Sequence, residues 1–544
     1  MQNPKYIFVV GGVMSGVGKG VTTASIGRIL ESKGFRVSPL KIDPYLNVDA
    51  GTMNPVEHGE VYVLDSGLEC DQDMGNYERF LGTMLPPENY MTNGMVFKYV
   101  IDKERALGYG GKCVEPVFHI TEEILRRITA SVRKMKPNVT IIEIGGTIGE
   151  YQNAIFIEAA RILKLQNPAD VLFALVSYLP VPGKIGEMKT KPTQTAIRTL
   201  NSYGVHPDII IARSEGPLDG KRKQKIADAN GVRKENVISA PDVESIYDVP
   251  INFEKDGLGN LILNHLGLKS RKKDLKEWRT MVGKIHHARA DVKIAVVGKY
   301  FKTGAFVLSD AYISVIEALK HSSYSLGKKP KFEWIDSEEY EKNPAKVKEL
   351  LKYDGVLVPG GFGTRGIEGI IKAIKFAREK KIPYFGLCYG MQLAVIEYAR
   401  SVAGIKGAHT REVGGKVKDP VIDIMPEQIS NMENHKYGAT MRLGGYPAKL
   451  KEGSIAQLAY GEKKIRERHR HRYEVNPDYI SRLEEAGLIF SGISPDGRLM
   501  EIAELPKKVH PFFVGTQFHP EFLSSPLKPH PLFLAFIKAC VKSK

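Results

Sequence analysis

Short apolar runs alternate along this chain with longer amphipathic stretches, and no other feature restricts the fold as much. YIFVV (6–10), IIEI (141–144), VLFALV (171–176) and IIIA (209–212) read as strands. Strands with no polar alternation are buried on both faces. Amphipathic stretches at 21–33 and 120–135 lie between them, so the first half predicts a parallel sheet covered by helices on both sides. The pattern restarts with KIAVV (293–297), GVLVP (355–359), PYFGL (383–387) and FFVGT (512–516). Neither an internal repeat nor a low-complexity tract interrupts it. The expected plan is two α/β domains joined near residue 280. Length alone, 544 residues at roughly 150 per domain, would allow three or four.

Composition removes several classes. With 42% hydrophobic and 26% charged residues, 53 Gly and 31 Pro, the chain is neither disordered nor collagen-like. Its four cysteines, Cys70, Cys113, Cys388 and Cys540, form no CxxC pair, which argues against a disulfide framework or a clustered zinc site. The longest apolar stretch, 171–181, is too short to span a bilayer. A single Lys5 before the first strand is not a cleavable-signal layout. The expectation is a cytoplasmic protein in a reducing compartment, without membrane attachment.

The net charge of +16 invites a nucleic-acid partner. Its distribution weakens that reading. Residues 1–268 carry 30 Lys and Arg against 31 Asp and Glu; residues 269–290 carry 8 against 2; residues 291–544 carry 40 against 29. The middle stretch, basic and without strong periodicity, reads as a linker, or less readily as a nucleic-acid tether. The expected domains are therefore 1–268, the linker 269–290, and 291–544.

Residues 11–20, GGVMSGVGKG, follow the first strand and precede a helix. Glycines let successive N–H groups face an anion, the helix N-terminus adds partial positive charge, and Lys19 reaches terminal phosphates. Gly12 to Gly18 is one residue longer than the usual phosphate loop, and Gly20 replaces its Ser or Thr. Any metal must be held elsewhere, and Asp73 in a polar loop and Glu143 at a strand end are the candidates. A second cationic loop, GEMKTKPTQ (186–194), is expected to place Lys189 and Lys191 on one side of an extended backbone, interleaved with Thr190, Thr193 and Gln194. That suits a phosphate or a pyrimidine edge.

In the second half GLCYGMQ (386–392) has the nucleophile-elbow layout, with Cys388 between a strand and a helix. A helix N-terminus favours the thiolate, the attacking species. His519 and Glu521 in FHPEF supply a base and its orienting carboxylate, and VPGGFG (358–363) supplies backbone N–H groups for an oxyanion. In ERHRHRYE (467–474), Arg468, Arg470 and Arg472 alternate with His469, His471 and Tyr473. Either nucleic acid or a substrate carboxylate would suit that alternation.

In this order, GGVMSGVGKG, KIDPYLNVDAGTMNP, EHGEVYV, GNYERF, EIGGTIG, KTKPTQ, VPGGFGTRGIEG, GLCYGMQ, ERHRHRYEVN and FHPEF resemble the CTP synthase family over essentially the whole chain. The resemblance implies an N-terminal P-loop, dethiobiotin-synthetase-like parallel-sheet domain and a C-terminal class I glutamine amidotransferase α/β domain. It implies a C–N bond-forming ligase that aminates UTP to CTP through a 4-phospho-UTP intermediate, with ATP as co-substrate and ammonia released from glutamine. By the same resemblance, Cys388, His519, Glu521 and Lys19 are catalytic, and Lys41 assists Lys19. Gly361, Tyr389, Gly390, Met391, Gln392, Glu412 and Arg472 bind glutamine. Gly16, Val17, Gly18, Lys19, Gly20, Val21, Asp73 and Val243 bind ATP, and Asp73 and Glu143 hold Mg2+. Ser15, Glu150, Tyr151, Gln152, Lys189, Thr190, Lys191, Pro192, Thr193, Gln194 and Lys225 bind UTP or inhibitory CTP. Pro55, His58 and Val61 fall in the segment lining the ammonia passage. GTP activation and a homotetramer, a dimer of dimers, are implied as well.

The chain departs from the family pattern at Gly16, at Glu150-Tyr151-Gln152, at Pro241 and in a shorter stretch at 413–438. An ATP-dependent amidotransferase of the cobyrinate amidase type is the alternative enzyme. A non-enzymatic nucleic-acid-binding protein is the alternative suggested by charge alone.

Overall fold

The computed structural model describes residues 4–12, 14–183, 186–271, 274–299, 302–303, 306–307, 309–434 and 437–542. Val13 of the Gly-rich loop, Lys272 and Lys273 of the basic stretch, and His435 and Lys436 of the shortened stretch lie outside the described residues. The chain packs into two units, Met1–Asp49 with Asp73–Val282, and Ala50–Gln72 with Gly283–Lys544.

In the first unit the four apolar runs become β1 (Lys5–Gly11), β4 (Val139–Ile144), β5 (Val171–Tyr178) and β6 (Ile209–Ser214), joined by β2 (Val37–Asp43), β3 (Tyr90–Thr92) and β7 (Val237–Pro241). They form one sheet in the order β3-β2-β4-β1-β5-β6-β7, and every pairing is parallel. The order reverses at β1. Loops after the strands on either side of such a reversal splay apart and leave a crevice at the carboxyl edge, where open α/β sheets bind ligands. The helices expected at 21–33 and 120–135 occupy Lys19–Ser32 and Thr121–Met135.

The large sheet of the second unit has nine strands: β8 (Ala290–Gly298), β9 (Lys328–Asp336), β10 (Gly355–Val358), β11 (Tyr384–Leu387), β12 (Arg442–Leu450), β13 (Lys464–His471), β14 (Ile489–Ile493), β15 (Met500–Glu504) and β16 (Phe513–Thr516). Their order is β9-β8-β10-β11-β16-β15-β14-β12-β13. The first five are parallel and the remaining pairings antiparallel. Alternate residues of β8 enter opposite cores. Ala295 and Val297 pack with the helices Ile367–Glu379 and Tyr389–Ser401, while Ile294 and Val296 pack with Ile313–Ser325 and Pro531–Lys542.

Packing departs from the contiguous division at two places. Residues 50–72 belong to the second unit. Their hairpin, Val61–Val63 with Glu69–Asp71, is gripped by β13. Arg468 is fully buried and donates to Tyr62 Oη (3.0 Å) and the Val63 carbonyl (3.1 Å). Arg470 pairs with Glu69 at 2.8 Å and Arg466 with Asp65 at 2.9 Å. Arg466, Arg468 and Arg470 thus bind a segment of the same chain that shields an edge strand. The second departure is the basic stretch, which contains the helix Lys276–His287. Leu275, Trp278 and Val282 are buried, a helical spacing diluted by the surrounding lysines. Trp278 donates through Nε1 to the Tyr247 carbonyl (2.9 Å) and packs against Phe80 and Tyr247.

Candidate active sites

In the first unit, β1, β2 and β4 deliver chemistry to the same carboxyl edge. The Gly-rich loop leaves β1, with Gly16 and Gly18 at φ 71° and 82°, the left-handed region glycine tolerates. Ser15 and Gly16 are exposed, whereas Val17, Lys19 and Gly20 are buried. Lys19 Nζ donates to the Gly146 carbonyl at 2.7 Å. Lys41, from β2, lies between Asp73 (2.6 Å) and Glu143 (3.0 Å), with Asp43 at 3.5 Å. Tyr77 donates to the other Glu143 oxygen.

Asp73 is not in a solvated loop. It opens the helix Asp73–Leu81, and a Cβ added at Gly20 would fall 1.8 Å from its Oδ1. The carboxylate takes the space that a serine or threonine side chain would otherwise fill. Burial raises the Asp73 carboxyl, but Lys41, Lys19 and Asn76 outweigh it and hold the group below the usual range. Burial dominates at Glu143 and Asp43, which lie above theirs despite Lys41. Lys19 is lowered, by burial first, with Glu143 opposing.

Among the described residues no group of three or more His, Cys, Asp or Glu is arranged to hold a metal by itself. Two carboxylates facing one cationic position instead suit an ion that takes its remaining ligands from phosphate and water, the habit of Mg2+.

The other first-unit candidates are distributed unevenly. Glu150 folds back on its own loop, accepting from Thr147 N (2.9 Å), Thr147 Oγ1 (2.6 Å) and Gln152 Nε2 (2.8 Å). Tyr151 is 98% exposed. The KTKPTQ segment is helical rather than extended from Lys191 onward. Thr190, Thr193 and Gln194 are buried, Thr193 Oγ1 lies 3.0 Å from Ser177 Oγ, and Lys191 and Pro192 stay on the outside. Lys189 pairs with Glu187 at 2.7 Å, whose carboxyl is held low chiefly by Lys189, with Arg222 and Lys225 adding. Gly18 and Val21 line a small hollow with Ala240 and Pro241. Val243, half-buried two residues further on, does not line it.

In the second unit Cys388 stands between β11 and the helix Tyr389–Ser401 at φ 47°, ψ −96°. A Cβ at Gly390 would meet the Val358 carbonyl oxygen at 2.4 Å, and one at Gly360 would meet His519 Cε1 at 2.8 Å. These two glycines let the elbow and the loop after β10 close around the thiol. His519 Nδ1 donates to Glu521 Oε1 at 2.7 Å, because a carboxylate only accepts. Nε2 remains for Cys388. Burial works against the imidazolium, yet Glu521 and Cys388 raise the His519 pKa to about 10.

Cys388, His519 and Glu521 line one cavity with Gly360 and Gly361, and with Pro55, Glu60 and Val61 of the 50–72 segment. His58 is not in that lining and lies 3.8 Å from Asp71. Of the other glutamine candidates, Tyr389, Gly390, Met391 and Gln392 are buried in the helix start. Glu412 accepts from Gly363 N at 2.7 Å, and burial raises its carboxyl. Arg472 points elsewhere among the described contacts, to Gln428 (2.6 Å), the Tyr437 carbonyl and Thr440.

His469 and His471 are buried with Arg442, Glu474 and Glu501, and desolvation keeps both imidazoles well below their usual pKa.

Three site residues escaped the sequence reading. Asp43 follows Lys41 by two in β2, so both charges share one face at the strand's end, a usable signal. Gln517 precedes His519 by two, and its Nε2 lies 3.4 Å from Cys388 Sγ. Tyr77, within an ordinary amphipathic helix, offered no signal.

Residues 5–268 match the family described as CTP synthase N-terminus, and residues 307–539 match glutamine amidotransferase class-I. The CTP synthase of Pyrococcus abyssi is 49% identical over 542 residues, covering 99% of this chain and 98% of its own. That of Halalkalibacterium halodurans is 46% identical over 539 residues, covering 99% of each. A solved Trypanosoma brucei CTPS glutaminase domain with bound acivicin is 39% identical, covers 46% of this chain and 94% of its own, and superposes with a TM-score of 0.43. Near-complete coverage at that identity, with both family regions in order, establishes that this chain belongs to the CTP synthase family, ligases that aminate UTP to CTP with nitrogen taken from glutamine.

Proposed function

We propose that the two units divide this reaction, with Cys388, His519 and Glu521 releasing ammonia and Lys19, Lys41, Asp73 and Glu143 serving the nucleotides. The observation that carries the reading is the cysteine at a strained elbow, sharing a cavity with an imidazole fixed by a carboxylate at 2.7 Å. Cys388 Sγ attacks the glutamine side-chain carbonyl, and its proton passes through His519 to the departing ammonia. Water then hydrolyses the glutamyl thioester, with His519 as base. Amides at Gly360 and Gly361 face the developing oxyanion. Gly361, Tyr389, Gly390, Met391, Gln392 and Glu412 shape the glutamine pocket. Arg472 joins them only if its contacts with Gln428 and Thr440 are exchanged.

In the first unit, ATP phosphorylates the uracil O4, ammonia adds at C4, and phosphate leaves with the oxygen. Asp73 and Glu143 would hold Mg2+, which would supply positive charge against the phosphates. Lys19 and Lys41 position the transferring group, where catalysis is mostly alignment and charge stabilisation. Ser15, Lys189, Lys191 and Lys225 supply the hydroxyl and cations that suit UTP or inhibitory CTP. The same reading includes GTP activation, a homotetramer promoted by nucleotides, and a cytoplasmic location. Among the described residues no helix is long and apolar enough to cross a membrane.

The test combines UTP, ATP, Mg2+ and either glutamine or ammonia, and follows the absorbance change of uracil becoming cytosine. Cys388→Ala is expected to abolish synthesis from glutamine and to retain it from ammonia. Loss of both, or survival of both, overturns the division of labour.

A further inference from the structure

Lys299 has no part in the scheme above, yet it is an enclosed cation beside the glycine loop. It follows β8 and is 5% exposed. Its Nζ donates to the Phe362 carbonyl (3.2 Å), the Gly363 carbonyl (2.5 Å) and Tyr389 Oη (2.8 Å), and lies 4.3 Å from the centre of the Tyr389 ring. Tyr389 Oη in turn donates to the Gly363 carbonyl at 2.8 Å. Three ammonium hydrogens therefore meet three oxygens, none of them a carboxylate. Enclosing a charge on such terms is costly. Burial accordingly lowers the lysine to about 8, with Glu412 and Glu341 opposing and Arg365 adding.

What the ammonium accomplishes follows from peptide geometry. Within one trans peptide the C=O and N–H point in opposite directions. The Phe362 carbonyl turns to Lys299, so the Gly363 N–H turns away from it, and there it meets Glu412 Oε1 at 2.7 Å. A cation on one side and a carboxylate on the other hold the same peptide plane, and Lys299 with Tyr389 holds the next. The preceding residues, Gly360 and Gly361, line the cavity with Cys388 and His519. Their amides have no side chains of their own to set their direction; the downstream planes set it.

We propose that Lys299 is a positioning residue for the glutaminase, clamping the 362–363 peptides against Glu412 so that the 360–361 amides face the charge that develops on the glutamine carbonyl oxygen. The inference rests on the reading of Cys388 as the nucleophile. It predicts an effect on the step in which the oxyanion forms, with little effect on glutamine binding or on the thiol itself.

The experiment uses the full chain and the variants Lys299→Met and Lys299→Gln. It measures kcat and KM for glutamine hydrolysis, the rate at which iodoacetamide alkylates Cys388, and CTP formation from ammonia. Alkylation builds no oxyanion and so reports the nucleophile alone. Loss of one oxyanion donor costs about 10²–10³ in kcat, and a loosened loop is expected to cost about 10–10². KM should stay within about threefold and alkylation within about twofold, with ammonia-dependent synthesis unchanged. An unchanged kcat, a rise in KM alone, or alkylation falling in parallel with kcat would each overturn the clamp. Failure of the underlying reading looks different: wild-type protein fully alkylated at Cys388 would still hydrolyse glutamine.

Discussion

Gly20 and Asp73 show how one missing methyl group can determine a site. A Cβ at position 20 would overlap the Asp73 carboxylate at 1.8 Å, so Gly20→Ala must push Asp73 off Lys41. Misplacement by about 1 Å costs about 10² in rate. CTP formation should fall by about that factor with either nitrogen source, while glutamine hydrolysis is retained; parallel assays of the two activities check this. The triad makes a different prediction, in pH. His519 is raised from 6.5 to about 10, chiefly by Glu521 and Cys388 working against burial. A raised histidine contributes stability that is complete below its unfolded pKa and is lost as pH rises through the folded one. That contribution should fade between about pH 6.5 and 10, and Glu521→Gln should flatten the fall; denaturant melts across this range read it. At this scale the residue types were legible, because catalysis demands them. The partners were not, because neither Gln517 nor Lys299 belongs to a recognisable spacing.

Elements follow the apolar runs closely and stray where charge hides a period. All eight runs read as strands became strands, with ends moved by up to three residues. The basic stretch concealed the helix Lys276–His287, since its buried face rests on few residues. Trp278→Ala is expected to cost about 3–5 kcal/mol and to lower the melting temperature of the first unit, measurable by calorimetry. The arginines of β13 were equally ambiguous. Alternation places side chains on opposite faces, but whether those faces meet solvent, ligand or chain depends on what packs there. Here a hairpin from residue 50 onward does. With the Glu69 side chain 1% exposed beside Arg470, Arg470→Met leaves a buried carboxylate without that partner. The change is expected to destabilise by about 3 kcal/mol and to speed proteolytic cleavage within 50–72, followed by timed digestion.

Across the whole molecule the chain forms two cores, and its covalent path visits them unequally. It leaves the first unit at Asp49, contributes Ala50–Gln72 to the second, and returns at Asp73. Units with separate cores unfold separately unless something couples them, and a ligand raises only the transition of the unit that binds it. Two calorimetric transitions are expected, of which ATP with UTP raises the one that Trp278→Ala lowers. The net charge of +16, prominent in the composition, belongs to neither unit alone: residues 50–72 bring five carboxylates and no Lys or Arg to the second unit, and residues 269–282 bring six Lys and Arg against two acids to the first. The sequence by itself determined the two α/β halves, the glycine-rich loop after β1 and the cysteine elbow, because apolar runs and tight glycine turns are local requirements written in neighbouring residues. Only the tertiary structure decided that Asp73 occupies the space above Gly20, that residues 50–72 join the second core, and that Lys299 and Glu412 hold one peptide from opposite sides. Each of these joins groups tens to hundreds of residues apart, and close packing in three dimensions, not local pattern, selects them.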